Sequence, residues 1–179
     1  MIIAVAGRRI DAEGASPARF PLKNVGLVRQ RLEEVFRRET ATAVVSSGAC
    51  GADLVALTAA GARGMRRRIV LPFGRDEFRT SSVIDRPGDW GPVYDRMLAE
   101  LDKTGDVVTL AGHVAGEAAY AAANDAILRE AATLARRGAT EVAAVLVWEG
   151  APRDGDDMTA AFGDDARRRG FRIEHVKTV

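Results

Sequence analysis

The chain has 179 residues, 47% of them hydrophobic and 28% charged, and its 26 Lys and Arg residues nearly balance 25 Asp and Glu residues. This length suits a single domain over residues 1–179 with a sizeable core, and the balanced charge argues against a strongly electrostatic nucleic-acid binder. No apolar run approaches the roughly 20 residues that cross a bilayer, and a single cysteine excludes an internal disulfide. We therefore expect a cytoplasmic protein with neither a signal peptide nor a membrane anchor.

Apolar runs alternate with amphipathic segments along the whole chain. The strands that we predict are Ile2–Ala6, Ala43–Ser46, Arg68–Pro72, Asp106–Leu110, Glu141–Trp148 and Phe171–Val176. The helices that we predict are Asn24–Arg38, Asp53–Arg63, Gly91–Lys103, Glu117–Arg137 and Met158–Arg169. This alternation predicts a three-layer α/β fold, in which a mostly parallel sheet is covered by helices on both faces.

Three arginine clusters, at residues 66–68, 136–137 and 167–169, lie at or just after predicted helices. Each cluster lies near a glycine and shortly before an apolar run. Cations at these positions complement the dipole at the end of a helix, and glycine adopts the left-handed cap conformation. We interpret the clusters as solvated helix caps, not as a DNA-binding patch, so we do not expect nucleic acid as a partner.

A glycine-rich turn joins the second predicted strand directly to the second predicted helix. Glycine lets the backbone approach an anion, and the first turn of a helix presents unpaired N–H groups. The turn therefore predicts a phosphate site, and replacement of Gly51 by valine should then block binding without unfolding the protein. The residues of this predicted site are Ser47, Gly48, Cys50, Gly51, Ala52 and Asp53. The alternative is a purely structural turn in which Asp53 caps the helix, since the spacing matches neither the dinucleotide fingerprint nor the Walker loop.

Four segments should meet at one edge of the predicted sheet, because parallel strands place their carboxyl ends together. These segments are Gly7-Arg8-Arg9, Ser47–Asp53, Phe73–Arg86 and the stretch from Trp148 to Thr159. Arginines such as Arg8, Arg9 and Arg86 can hold a phosphate through paired N–H bonds, and Ser47 and Thr159 offer hydroxyl donors. Two long loops, residues 11–23 and 74–90, add to this expectation, because long loops in α/β domains are often functional.

Four features of the sequence occur together: an apolar strand ending in Gly7-Arg8, the turn Ser47–Leu54, the segment Arg68–Phe73 and a late Tyr120-x-x-x-Asn124 helix. Through these features the chain resembles the SLOG superfamily. This Rossmann-like group contains the lonely-guy (lysine decarboxylase-like) phosphoribohydrolases, the DNA-processing protein DprA and nucleotide-sensing domains of bacterial conflict systems. The resemblance spans residues 2–169 and implies a nucleotide ligand that Tyr120 and Asn124 reach. A contact between helix and sheet explains these two residues equally well.

One motif of the phosphoribohydrolases, Pro-Gly-Gly-x-Gly-Thr-x-x-Glu, has no copy in this chain. In those enzymes the glutamate is implicated, together with an arginine, in cleaving the bond between base and ribose. The candidates for a catalytic carboxylate here are Asp53, Glu117 and Glu149, with Asp157 as a further acid at the same edge of the sheet. Each of them also fits a structural role, such as a helix cap.

Several other residues have both a functional and a structural explanation. Cys50 lies where a thiolate is favoured, but without a nearby histidine we interpret it as a small buried thiol. His113 follows the fourth predicted strand, on the ligand side of the sheet, although a lone loop histidine usually binds nothing. Trp90 and Trp148 are the aromatics best placed to stack on a base, and core packing is the alternative for Trp148.

We therefore predict a module that binds or senses a nucleotide or an ADP-ribose-type derivative and needs no metal or cofactor. The alternative is a phosphoribohydrolase-like enzyme that cleaves the N-glycosidic bond of a nucleoside monophosphate, and a DNA-associated role is less favoured. A sensing module also needs a means of output, either a separate effector protein or a homodimer. The alanine-rich segment Ala118–Ala135 fits a dimer face or close helix–sheet packing.

Overall fold

Six parallel strands form one sheet in the computed structural model, which describes residues 1–112 and 114–179. The strands are β1 (Ile2–Gly7), β2 (Ala43–Ser46), β3 (Arg66–Leu71), β4 (Val107–Thr109), β5 (Val142–Trp148) and β6 (Arg172–Lys177). Their order across the sheet is β4-β3-β2-β1-β5-β6, so the chain runs outward from β1 to β4 and then returns to the other side of β1. The loops that follow β1 and β5 therefore diverge, and such a switch point opens a crevice at the carboxyl ends of the strands.

Helices connect the strands. They are α1 (Val25–Arg38), α2 (Ala52–Ala62), α3 (Arg75–Phe78), α4 (Gly91–Asp102), α5 (Glu117–Arg137) and α6 (Met158–Arg168). A short 3₁₀ turn at Leu22–Asn24 precedes α1, and a π-helical turn at Arg79–Val83 follows α3. All five connections between the strands thus contain at least one helix, which satisfies backbone groups that a structureless loop would leave to water.

Two apolar cores lie on opposite faces of the sheet. One core joins α1, α2 and α4 to the sheet through residues such as Leu32, Leu57 and Tyr94. The other joins α5 and α6 to the opposite face through Leu128 and Phe162. Every residue of β5 is buried, as expected for a central parallel strand that is covered on both sides. The three-layer α/β, Rossmann-like arrangement predicted from the sequence is confirmed.

The predicted elements agree with the observed ones to within two residues at their ends. Two interpretations need correction. Arg66, Arg67 and Arg68 lie within β3 and not at the end of a helix, because pairing with β2 begins at the first of them. Residues 74–90 are not a simple loop, since α3 and the π-helical turn bury Phe78 and Val83 there. Among the described residues, no helix is long and apolar enough to cross a membrane.

Candidate functional site

A cavity of about 560 Å³ opens at the carboxyl edge of the sheet, between α5 and the loops that follow β1, β3 and β5. Its polar lining is rich in arginine: Arg8, Arg9, Arg19, Arg86 and Arg153. Hydroxyl, amide and carboxyl groups come from Asp11, Ser16, Ser47, Asp53, Ser82, Tyr120, Asn124 and Thr159. An apolar wall is formed by Val5, Ala6, Ala123, Ile127 and Met158. This volume and this mixed lining are typical of a small-molecule site.

The glycine-rich turn contributes to the cavity through only part of its length. Ser47, Ala49 and Asp53 line it, whereas Gly48, Cys50, Gly51 and Ala52 lie behind this lining. The Cys50 amide donates to the Ser82 carbonyl at 3.0 Å, and the Ala52 amide donates to the Arg8 carbonyl at 3.0 Å. These two N–H groups hold neighbouring loops in place, so they are engaged by the protein itself.

Two glycines are explained by the approach of one backbone to another. A Cβ on Gly51, whose φ is +93°, would lie 2.8 Å from the carbonyl oxygen of Arg8 and from the amide of Ile10. A Cβ on Gly7 would lie 2.4 Å from the carbonyl oxygen of Val147. The expectation that valine at Gly51 leaves the protein folded is therefore wrong, because the new side chain would collide with the backbone after β1.

Asp53 is a buried carboxyl at the inner end of the cavity. It lies in the first turn of α2 and accepts hydrogen bonds from the Ser47 hydroxyl and, at 3.2 Å, from the Ala49 amide. Burial raises the pKa of Asp53 above its ordinary value, and the hydrogen bonds from Ser47 and the backbone only partly offset this effect. No arginine or lysine among the described residues forms an ion pair with it. The surroundings of Asp53 thus favour its protonated form more than water does.

Cys50 is fully buried, and burial raises the pKa of its thiol to about 11. A thiol with this pKa is protonated at neutral pH and is a weak nucleophile. Cys50 therefore packs beneath the turn as a small apolar residue, which is the interpretation that the sequence favoured.

Arg8 is engaged by two carboxylates. Its Nε lies 2.6 Å from Glu149 Oε2 and its Nη1 lies 2.8 Å from Asp157, while Nη2 donates to the Ala151 carbonyl at 2.9 Å. The guanidinium also lies 5.7 Å from the ring centroid of Trp148. Burial acts to raise the pKa of Glu149, but the hydrogen bonds from Arg8 and from its own backbone amide, together with the charges of Arg8 and Arg19, lower that pKa overall. Through these contacts Arg8 holds in place the loop that follows β5.

Asp157 caps α6 at the rim of the cavity. Its carboxylate accepts from the amides of Thr159, Ala160 and Arg153, at 2.9, 3.1 and 2.7 Å. Burial acts to raise the pKa of Asp157, yet these amides together with Arg8 lower it overall. The cap brings Thr159 into the cavity lining and keeps the Arg153 side chain, which is 46% exposed, at the cavity mouth.

Arg9 and Arg86 lie on the opposite side of the cavity and share Asp85. Arg9 Nη1 donates to the Ser81 carbonyl at 2.8 Å and to Asp85 at 3.0 Å. Arg86 Nε lies 3.4 Å from Asp85 without forming a hydrogen bond, and that nitrogen is buried with no hydrogen-bond partner among the described residues. Two guanidinium groups therefore face the cavity with one carboxylate between them.

Tyr120 and Asn124 lie one turn apart on α5, and both line the cavity. The Tyr120 hydroxyl lies 3.1 Å from the Ser82 hydroxyl, and its ring packs edge-on against Phe73. Asn124 Nδ2 donates to the Met158 carbonyl at 2.9 Å. Each side chain therefore contacts a neighbouring element and also faces the cavity, while a contact of either one with a ligand stays a prediction.

Other predicted residues lie elsewhere. Glu117 is exposed at the start of α5 and does not line the cavity, and Glu149 is occupied by Arg8 and Arg19. Trp90 is buried with its indole N–H bonded to the Pro87 carbonyl, and Trp148 is buried beside Arg8. His113 lies outside the described residues. Within the described ranges, no group of three or more His, Cys, Asp or Glu side chains could hold a metal.

Sequence reasoning missed five polar residues of the cavity. These are Asp11, Ser16, Arg19, Ser82 and Arg153. Three of them lie in residues 11–23, whose length was the available signal, but no spacing rule indicated which side chains would face the cavity. Asp11 is held there because its carboxylate accepts from the amides of Arg19 and Phe20, at 2.9 and 3.0 Å.

No protein-family model matches this chain, and no curated protein has a significantly similar sequence. Among solved structures, the chain is similar to the X-ray structure of DNA processing protein A (DprA) from Streptococcus pneumoniae. The TM-score is 0.42 and the sequence identity is 16%, over 96% of this chain and 57% of that chain. The chain thus spans little more than half the length of DprA, and a likeness at this level carries no conclusion about ligand or activity.

Proposed function

We propose that this chain is a nucleotide-binding domain of the SLOG type, which holds a nucleotide or a nucleotide derivative in the cavity at the carboxyl edge of its sheet. The observation that carries the proposal is the pair Arg9 and Arg86, which face the cavity across Asp85. A phosphate in the cavity would accept charge-assisted hydrogen bonds from the guanidinium groups of both arginines. The resemblance of the glycine-rich turn to the SLOG superfamily supports the same proposal.

The phosphate contacts in this proposal come more from side chains than from the turn itself. The amides of Cys50 and Ala52 already donate to Ser82 and Arg8, so they are not free to hold an anion. Ser47 lines the cavity but donates its hydroxyl to Asp53. The arginines are therefore the main anion ligands, and the turn sets the shape of the wall behind them.

Equilibrium dialysis tests the proposal. The protein is dialysed against a mixture of nucleoside mono-, di- and triphosphates, NAD and ADP-ribose, and both compartments are analysed by mass spectrometry. We expect retention of at least one of these compounds in intact form. If none is retained above a control protein at millimolar concentrations, the proposal is wrong.

A matched pair of variants tests the arginine. In Arg86→Gln the charge is lost at the cavity, and we expect binding to weaken by roughly tenfold to a hundredfold, the loss typical of a hydrogen bond to a charged group. Arg37→Gln removes an exposed charge in the last turn of α1, at the opposite edge of the sheet, and should leave binding unchanged. Equal effects of the two changes would show that only net charge matters.

A phosphoribohydrolase is the second candidate, and Asp53 is the observation that favours it. A buried carboxyl with a raised pKa can donate a proton to a departing base. The second carboxylate that such chemistry needs is less evident, because Arg8 engages both Glu149 and Asp157. In the dialysis experiment, free base and ribose phosphate would indicate hydrolysis, and Asp53→Asn should then abolish their release while the nucleotide still binds.

A further inference from the structure

The segment between Ile10 and Phe20 runs along the cavity, and only its two ends are anchored in the core. Ile10 and Phe20 are almost completely buried. Residues 12–18, with the sequence Ala-Glu-Gly-Ala-Ser-Pro-Ala, are all exposed to solvent. Because none of these side chains is large and apolar, burial contributes little to holding residues 12–18 in one position.

The base of this segment is held by hydrogen bonds. The Asp11 amide donates to the Phe20 carbonyl at 3.0 Å, and the Asp11 carboxylate accepts from the amides of Arg19 and Phe20. The fully buried Thr178 donates its hydroxyl to the Arg19 carbonyl, and Arg19 Nη1 lies 2.8 Å from Glu149 Oε1. The two ends are therefore fixed close together, as in an Ω-loop.

The tip of the segment, residues 12–18, has far fewer hydrogen bonds. Among the described residues, the tip makes a single hydrogen bond, from the Ala15 amide to the Ala12 carbonyl at 3.1 Å. A Cβ added to Gly14, whose φ is +72°, would meet no atom within 4 Å. The other backbone amides of the tip thus have no acceptor within the part of the chain that the structure describes.

The tip faces the cavity with one side only. Its small residues Ala12, Ala15, Ser16 and Pro17 line the cavity, whereas the charged Glu13 does not. The segment leads to α1 on one face of the sheet, and α5, which also lines the cavity, packs on the other face. The tip and α5 therefore approach the cavity from different faces of the sheet.

We propose that residues 12–18 form a lid that closes over the cavity toward α5 when a ligand occupies it. The lid rests on the proposed function, because closure requires a ligand in the cavity. An anionic ligand supplies acceptors for the unbonded amides of the tip, and the tip moves without removing any side chain from the core. Closure excludes water, which strengthens the hydrogen bonds between the arginines and the ligand.

Hydrogen exchange, resolved at single amides by NMR, tests the free state of the lid. In the protein without ligand, the amides of Glu13, Gly14 and Ser16 should exchange at rates close to those of an unstructured peptide. The amides of Asp11 and Phe20 should be protected, because both are hydrogen-bonded in the base. Equal protection of tip and base in the free protein would indicate a fixed rim and overturn the lid.

A pair of spin labels measures closure itself. Labels on Glu13→Cys and Ala121→Cys, which are exposed and lie outside the cavity lining, report the distance between the tip and α5. Cys50 is fully buried and stays unlabelled. On addition of the mixture of nucleoside phosphates, NAD and ADP-ribose, we expect the distance distribution to narrow and to shift to shorter distances. Labels on Gln30→Cys and Ala121→Cys join α1 to α5 and should show no shift.

A shortened lid tests the consequence for binding. Deletion of residues 13–15 keeps Asp11 and Phe20 in the base, so the thermal unfolding temperature should change little. The compound retained in dialysis should dissociate roughly tenfold faster from this variant than from the wild type. Glu13→Gln is the matched control, since it changes only the outward charge of the tip and should leave the dissociation rate unchanged.

The outcomes separate the lid from the proposed function. If a compound is retained in dialysis and the distance between the tip and α5 does not change, the lid is wrong and the proposed function stands. A folded deletion variant that releases the compound at the wild-type rate leads to the same conclusion. If no compound is retained, both are overturned.

Discussion

Two buried aspartates at opposite edges of the sheet have opposite electrostatic surroundings. Asp106, just before β4, accepts hydrogen bonds from Arg66, Arg68 and Thr104, and these bonds outweigh the effect of burial and lower its pKa. Asp53, at the carboxyl edge, has only a hydroxyl and backbone amides as partners, and burial raises its pKa. The buried carboxylate at the amino edge is therefore paired with arginines, whereas the buried carboxyl at the carboxyl edge has no ion-pair partner among the described residues.

The arginines at the carboxyl edge differ in how fully the protein engages them. Arg8 is held by Glu149 and Asp157, much as Asp106 holds Arg66 and Arg68 at the amino edge. Arg9 pairs with Asp85, whereas Arg86 has a buried nitrogen with no hydrogen-bond partner among the described residues. Position at this edge alone therefore does not identify a ligand-binding arginine.

Replacement of Arg8 should give the largest loss of stability. In Arg8→Ala the carboxylates of Glu149 and Asp157 lose their buried partner, and we expect a loss of about 3–5 kcal/mol in the free energy of unfolding. Arg66→Ala removes a side chain that is 48% exposed and leaves Arg68 on Asp106, so its cost should stay below about 1 kcal/mol. Urea unfolding of both variants measures the difference. Similar losses would contradict the contrast between the two arginines.

A second contrast concerns two glycines. Gly51→Ala should cost about 3 kcal/mol, because its Cβ would meet the backbone of Arg8 and its φ is positive. Gly26→Ala is the control, since nothing lies within 4 Å of the added atom in α1, and alanine there should be neutral or stabilise by up to about 1 kcal/mol. The free energies of unfolding, measured in urea, test both. A Gly51→Ala protein as stable as the wild type would restore Gly51 as a residue reserved for the ligand.

The strands, helices and layers could be predicted from the sequence, because each depends on local periodicity. One example is the apolar run Val142–Trp148, which predicts a buried strand. Another is the helical spacing of Val28, Leu32 and Phe36, which predicts the buried face of α1. The helices within residues 74–90 could not be predicted, because α3 and the π-helical turn are too short to show a periodic pattern of apolar residues. Local patterns decide the elements, and tertiary packing decides such turns.

The edge that carries the cavity could also be predicted, but not which polar groups are free there. Arg8 and Arg9 are neighbours in sequence, yet the first bonds to carboxylates after β5, more than a hundred residues away, and the second to Asp85. The amides of the glycine-rich turn are likewise used by Ser82 and Arg8. These hydrogen bonds and ion pairs depend on which loops lie next to each other in the folded protein, and the spacing of residues along the chain does not predict that.

The two aspartates provide the last prediction, and its sign differs between them. The folded pKa of Asp53 lies above the unfolded value of about 3.9, so its protonated form favours folding and that contribution is lost as the pH rises through the folded pKa. The folded pKa of Asp106 lies below the unfolded value, so its ionised form favours folding and that contribution is lost as the pH falls.

Neutral replacements should therefore respond to pH in opposite directions. Asp53→Asn keeps an acceptor for Ser47 and should gain stability relative to the wild type as the pH is raised from about 4 to 7. Asp106→Asn should cost about 1–3 kcal/mol near neutral pH, because it weakens bonds to two arginines, and less as the pH falls below about 3.9. Urea unfolding of the wild type and both variants, from below about pH 3.9 to about pH 7, measures how the difference in the free energy of unfolding changes with pH for each variant. If the two slopes have the same sign, the folded protein stabilises the ionised form of Asp53 as it does that of Asp106. The contrast between the two edges of the sheet is then wrong.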